Sequence, residues 1–215
     1  MLIERKAEKP NSGHNCRAAS IIAKVIRILS VPPVMVTLLI AVILLGKREI
    51  FHSGWEIAVL WICLALIPAL AYPIADLVPK LRRKGREGER NAAFITSAAG
   101  YLIGIVSAVL FKNPYLIFIT GIYVCSVILL LVWNKLFKIR SSGHGCSVVG
   151  PLAISVWLFG LPAIPICLAI YAAILWASLY LKRHTLLEFL GGSLLCLISM
   201  LMSYLICLAC GLTLA

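Results

Sequence analysis

A chain of 215 residues that is 62% hydrophobic and only 13% charged lacks the polar residues needed to cover a water-exposed globule, which excludes a soluble domain. Its net charge of +12 does not call for a nucleic-acid partner, because basic loops orient membrane proteins and attract anionic head groups. The apolar residues form long uncharged runs that are apolar on both parities, which excludes the alternating strands of a membrane β-barrel and leaves helices.

The first fifteen residues are polar, and no short apolar segment with a small-residue cleavage site follows, so no cleavable signal peptide is expected. From Cys16 to Leu29, Arg17, Lys24 and Arg27 fall near one helical face, while Ile21, Ile22, Val25, Ile28 and Leu29 cover most of the rest. That pattern fits an interfacial helix or a simple extension of the first span. Uncharged runs follow from Ser30 to Gly46, Ile57 to Ile74, Asn91 to Phe111, Asn113 to Asn134, Gly145 to Leu181 and Phe189 to Ala215. About 20 apolar residues cross the hydrocarbon core. The run from Gly145 is too long for one span and is broken by Gly160, Pro162 and Pro165, so it reads as two helices and a tight turn. The expectation is an all-α integral membrane bundle of six to seven transmembrane helices. Residues 1–29 form a cytosolic N-terminal segment and residues 30–215 one membrane domain.

Cys63, Cys125, Cys167, Cys196, Cys207 and Cys210 lie inside apolar runs, where cysteine acts as a small hydrophobe. The Cys207-x-x-Cys210 pair has no His or acidic neighbours, so it reads as packing and not as a metal or redox site. No metal or cofactor is expected.

Placing the loops alternately groups the N-terminal segment with the loops after spans two, four and six. That side carries 17 of the 20 Lys and Arg, among them Arg5, Lys6, Lys9, Arg82, Lys135 and Arg140. The other side has Lys47, Arg48 and Lys112. The positive-inside rule then puts the N-terminus and the basic loops in the cytosol.

Three segments on that side carry chemistry. The first, Arg82 to Asn91, places Gly85 and Gly88 within a dense basic cluster, where backbone and guanidinium groups can approach a phosphate. The second, Ser141-Ser142-Gly143-His144-Gly145-Cys146, opens a helix, whose free N–H groups favour an anion. Ser142 adds a hydroxyl, and His144 is a proton donor near neutral pH. The third, Lys182-Arg183-His184-Thr185-Leu186-Leu187-Glu188, sets His184 and Glu188 at i, i+4 on one helical face. A carboxylate on one imidazole nitrogen fixes the tautomer and raises the basicity of the other. Glu188 is the only acidic residue after Glu89. His14 and His52 stand apart from these segments and read as incidental.

The order of segments between Arg83 and Gly192 resembles the type 2 phosphatidic acid phosphatase family of lipid phosphatases. Its motifs are Lys-x6-Arg-Pro, Pro-Ser-Gly-His and Ser-Arg-x5-His-x3-Asp. Ser142-Gly143-His144 keeps the second motif, and His184-x3-Glu188 keeps the core spacing of the third, with Glu for Asp and Gly191-Gly192 after it. The resemblance implies His184 as a nucleophile that becomes a phosphohistidine, with Glu188 orienting it. It implies His144 as the acid for the leaving alcohol and then the base for water. It implies Ser142, the Gly143 amide and the cations Arg83, Lys84 and Arg90 as phosphate ligands.

The departures are specific. Arg83 has the x6 spacing to Arg90 but is not Lys, Lys84 is one residue close, and Asn91 and Ser141 stand where the family has Pro. Ala177-Ser178 occupies the place of Ser-Arg, leaving Lys182 or Arg183 as the substitute. The activity implied is metal-independent hydrolysis of a phosphatidate-type or polyprenyl (di)phosphate lipid at a membrane edge. The alternative is a catalytically inactive protein of the same fold that binds anionic lipid head groups. A transporter fits less well, since Asp76 and the other ionisable groups lie near span ends. Membrane lipids and a phosphorylated lipid substrate are the partners expected; oligomeric state is not specified by the sequence.

Overall fold

The computed structural model describes residues 12–214; Arg5, Lys6 and Lys9 of the charge pattern lie outside that range. Every regular element among the described residues is helical. In chain order they are α1 (Ser12–Leu29), α2 (Pro32–Gly46), α3 (Gly54–Leu77), α4 (Arg86–Phe111), α5 (Pro114–Leu136), α6 (Gly143–Phe159), α7 (Leu161–Tyr180) and α8 (Leu186–Ala209).

Each apolar run becomes a helix, but not each helix is a full span. Five helices, α3, α4, α5, α7 and α8, are long and apolar enough to cross a membrane. The expected first and fifth spans are shorter. α2 has 15 residues and α6 has 17, which at 1.5 Å per residue is roughly 22 and 26 Å, against about 30 Å of hydrocarbon. The cause of the first is Pro32-Pro33. Proline cannot donate its nitrogen and forces the preceding residue extended, and Val31 sits at φ −65°, ψ 149°. α1 therefore does not continue into α2 as a straight extension; the two meet at a 67° bend, and taken together they are long and apolar enough to make a sixth, bent span.

Helix packing follows the logic of lipid rather than of water. α8 buries Gly192, Cys196, Ser199, Ser203 and Cys207 on one face and exposes Leu194, Leu197, Leu201, Leu205 and Leu208 on the other. Both sets recur every three or four residues, so small residues meet other helices and large apolar ones face outward. α4 repeats the arrangement with Gly100, Gly104 and Ala108 inward and Leu102, Val106 and Leu110 outward. α8 packs along both α5 and α6, α4 lies against α5, α2 against α6, and α1 against α7. The chain is a multi-pass helical membrane protein.

The loops sort into two ends. At one, Ser142 bonds Glu188, Ser30 lies against His144, and Tyr72 of α3 lies within electrostatic reach of both Arg27 and Glu89. At the other, Asn113 bonds Ile50 and Glu56, and the Phe159 ring covers Gly46. The first end gathers the segments that the charge pattern grouped together.

Candidate functional site

Two helix starts face each other at the first end. Ser142 is the N-cap of α6, and its hydroxyl accepts the Gly145 N–H at 3.1 Å. Thr185 is the N-cap of α8 in a full capping box: its hydroxyl accepts the Glu188 N–H at 3.2 Å, and the Glu188 carboxylate accepts the Thr185 N–H at 3.1 Å. The two starts are joined by the Ser142 N–H donating to the Glu188 carbonyl at 2.8 Å. No side chain fits between them: a Cβ on Gly192 would run into the Ser142 carbonyl, and one on Gly145 into the Phe189 carbonyl. The loop before α6 is held as well, since the Ser141 N–H donates to Asn134 Oδ1 at 2.6 Å.

His184 arrives from the other direction. α7 closes in a Schellman motif, with Lys182 left-handed at φ 50° and the Arg183 N–H returning to the Ser178 carbonyl. This turn presents His184 directly before the α8 cap. His184 Nδ1 lies 3.5 Å from Glu188 Oε2, and Arg140 Nε lies 3.1 Å from Glu188 Oε1. The imidazole is 21% exposed and the carboxylate 15%. Burial holds the His184 pKa below its ordinary 6.5, and the Arg27 and Arg140 charges act the same way, while Glu188 opposes them. His184 is therefore neutral at physiological pH.

His144 stands in the first turn of α6. Its Nε2 is 3.2 Å from Ser30 Oγ, and that hydroxyl also donates to the Arg27 carbonyl at 3.2 Å. If the Ser30 proton is directed to Arg27, the Nε2–H tautomer of His144 donates to Ser30 and leaves Nδ1 as the basic nitrogen. Nδ1 has no hydrogen-bond partner among the described residues. The two histidines and Arg27 are close enough to act on one another electrostatically.

The residues expected from the sequence divide accordingly. His144, His184 and Glu188 come together. Gly143 is exposed at the α6 start, whereas Ser142 is buried and its hydroxyl is taken up by the helix cap. Arg83, Lys84 and Arg90 lie around the start of α4, and Arg183 in the Schellman turn. All four side chains are exposed, with no ion pair or hydrogen bond among the described residues. Ser178 is buried, and its hydroxyl has no hydrogen-bond partner among those residues.

Three residues at the histidines went unrecognised in the sequence: Arg27, Ser30 and Arg140. Arg27 was grouped with Arg17 and Lys24 on a polar face, but the structure separates them. Arg17 and Lys24 are exposed, while Arg27 is half-buried beside Ala23 and Ser30, which are buried. Ala23, Arg27 and Ser30 recur at i, i+4, i+7, the spacing of one helical face, and that was the signal available. Comparison with protein-family models, with curated proteins and with solved structures finds no match to this chain.

Proposed function

We propose that this protein is a membrane-embedded lipid phosphate phosphatase, working without a metal and through a phosphohistidine. The observation that carries the reading is the pair of half-buried histidines on facing helix starts, one backed by a carboxylate, with arginines beside both. A binding surface for anionic lipid needs cations; it does not need a neutral imidazole oriented by Glu188.

The chemistry runs in two steps. His184 uses its Nε2 lone pair to attack phosphorus, with Nδ1–H held toward Glu188. A P–N bond forms, the P–O bond to the lipid breaks, and the departing oxygen takes a proton from Nδ1 of His144 in its imidazolium form. That form must first take the proton from solvent, because burial and the Arg27 charge hold the His144 pKa at about 3 and not near neutrality as expected from the sequence. Water then attacks the phosphohistidine while His144 accepts its proton; the P–N bond breaks and inorganic phosphate leaves. Splitting the displacement lowers each barrier, and fixed cations stabilise charge on the phosphoryl group. Arg83, Lys84, Arg90, Arg183 and the Gly143 amide are the candidate phosphate ligands named by the resemblance to type 2 phosphatidic acid phosphatases. A phosphatidate-type or polyprenyl (di)phosphate substrate suits a site at a membrane edge, since the head group reaches the histidines while the chain stays in lipid. The distribution of Lys and Arg supports a cytosolic site.

The inactive, lipid-binding alternative draws on one observation: Ser178 is a small buried residue where the resemblance expects a phosphate-gripping arginine. The experiment that separates the two readings is phosphate release by the purified, detergent-solubilised protein. It uses a panel of phosphatidate, phosphatidylglycerol phosphate and polyprenyl (di)phosphates in EDTA, with a His184→Ala control. Release that survives EDTA and disappears in the variant supports the phosphatase. No release from folded protein across the panel favours the lipid-binding reading.

A further inference from the structure

The cations nominated by the sequence are exposed, and none is bonded at the histidines. The cation that does lie beside both histidines comes from outside the three segments. α1 runs along α7 and ends at Leu29, where the Pro32-Pro33 bend stops it against the start of α6. Its outward side is apolar, with Ile21, Ile22, Val25, Ile28 and Leu29 all 49–66% exposed. Its inward side carries Ala23, Arg27 and Ser30. Ser30 bridges the last turn of α1 to His144, with 3.2 Å to Nε2 and 3.2 Å to the Arg27 carbonyl. That contact fixes the height of Arg27 relative to the histidines. The guanidinium is not a solvated surface charge, since its Nη1 is buried. Arg140, the other cation here, is 68% exposed and pairs with Glu188.

We propose that Arg27 is the phosphate-gripping residue of this site, delivered by the interfacial helix α1, with Ser30 as a positioning residue that aligns both Arg27 and His144. The ligand is a phosphate monoester dianion, recognised by the planar, bidentate donors of the guanidinium. The substrate class rests on the phosphatase reading above; the anion site does not. The exposed apolar side of α1 suits a place against lipid, so that the grip and the membrane surface would belong to one element. The site is then complete only when α1 is seated.

The test uses the full chain in lipid nanodiscs with two readouts. Binding of inorganic phosphate is followed by phosphorus NMR line broadening, and hydrolysis of long-chain phosphatidate in the same discs by phosphate release. Arg27→Ala is expected to weaken phosphate binding at least ten-fold and to lower kcat/KM at least 100-fold. Arg27→Lys, which keeps charge and length but not the fork, should fall between Arg27→Ala and the parent. Millimolar guanidinium should restore part of the Arg27→Ala turnover, a rescue that a merely structural role would not give. Lys24→Ala, exposed and one turn earlier, is expected to match the parent protein in both readouts. Circular dichroism and gel filtration of each variant establish folding, and Arg27→Lys carries the test if Arg27→Ala does not fold. Phosphate binding through Arg27 without turnover would leave the anion site standing and remove the phosphatase. Binding of phosphatidate discs but not of inorganic phosphate, lost in Arg27→Ala, would assign the site to the lipid head group. Unchanged phosphate binding in folded Arg27→Ala, or no phosphate binding by the parent in either form, would overturn the proposal.

Discussion

The chain writes the same local pattern twice, His-Ser-x-x-Glu at residues 52–56 and His-Thr-x-x-Glu at residues 184–188, at opposite ends of the bundle. In both, the hydroxyl residue is a helix N-cap that accepts the Glu N–H. In both, the imidazole Nδ1 is close to the carboxylate, 3.4 Å at the first pair and 3.5 Å at the second. The surroundings differ. At the first pair the carboxylate is 3% exposed and the imidazole 63%. Glu56 Oε2 accepts from the His52 N–H at 2.8 Å and from Asn113 Nδ2 at 2.9 Å, and Asn113 also bonds Ile50. Glu56 thus locks the turn to the start of α5, beside a shallow cavity of about 470 Å³ lined in part by Arg48 and His52. At the second pair both partners are sheltered, the imidazole 21% and the carboxylate 15% exposed, with another histidine and Arg27 near the imidazole. In both, a His directly before the N-cap lies close to the Glu at the third helical position, though only the second pair forms a full capping box. Chemistry is written in what surrounds the imidazole, not in the spacing.

The largest difference is expected on removing the imidazoles. His184→Ala should lower phosphate release by about 10⁴-fold or more, the usual consequence of deleting a nucleophile. His52→Ala should leave it within about two-fold. Equal losses in the two variants would make the pairs alike and remove His184 from the chemistry.

Next come the carboxylates. Glu188→Gln should lower turnover about 100-fold, because the imidazole loses its anionic partner (about 2.7 kcal/mol at 1.36 per decade). It should also move the pH profile. His184 must be neutral to attack, and its pKa is held below 6.5. The acid limb of the profile set by His184 therefore lies below 6.5. Glu188 is the group that raises the pKa, so Glu188→Gln should carry the acid limb of kcat/KM further down. A limb that moves up, or stays fixed, argues against the pairing. Glu56→Ala should do the reverse. It leaves turnover of the folded protein unchanged and costs about 1–3 kcal/mol of stability in thermal unfolding, because Asn113 Nδ2 is left buried without that acceptor.

The glycines between the helix starts give a structural contrast of comparable or smaller size. Gly192→Ala should destabilise by about 1–3 kcal/mol and loosen the α6–α8 junction, since its Cβ meets a backbone carbonyl that cannot step aside. Gly54→Ala, in open space at the start of α3, should be nearly neutral. Gly191-Gly192 was visible in the sequence as part of a resemblance, but its physical role was not. That role depends on the Ser142 carbonyl, 50 residues away in the chain. The apolar runs were legible as helices because lipid demands them one at a time. α6 was read as a full span but is shorter than one, because a run of uncharged residues does not reveal where the Ser142 cap begins the helix; α2 makes a span only together with α1, across the Pro32-Pro33 bend. The histidines were legible through local spacing. Arg27 and Ser30 were not, because their partner His144 lies more than a hundred residues on, and the contact exists only after α1 turns along α7. The capping box Thr185-x-x-Glu188 was plainly written, yet Glu188 was assigned to His184 alone. One carboxylate serves both.

That double service sets the smallest and sharpest contrast. Thr185→Ala and Ser53→Ala each remove one N-cap hydroxyl, and each should cost about 1 kcal/mol of stability. If the two pairs are only caps, the effects end there and turnover is unchanged in both. If Glu188 also orients His184, Thr185→Ala does something more. The Thr185 N–H still holds Oε2, but the first turn of α8 is less rigid, and the carboxylate spends less time facing Nδ1. Turnover should then fall by a few-fold at constant protein, while Ser53→Ala is expected to leave it untouched, because His52 stands at the opposite end of the bundle from His184 and His144. Thermal unfolding and phosphate release on the same preparations resolve the two effects. A stability loss without a turnover loss at Thr185 would reduce the second pair to the status of the first.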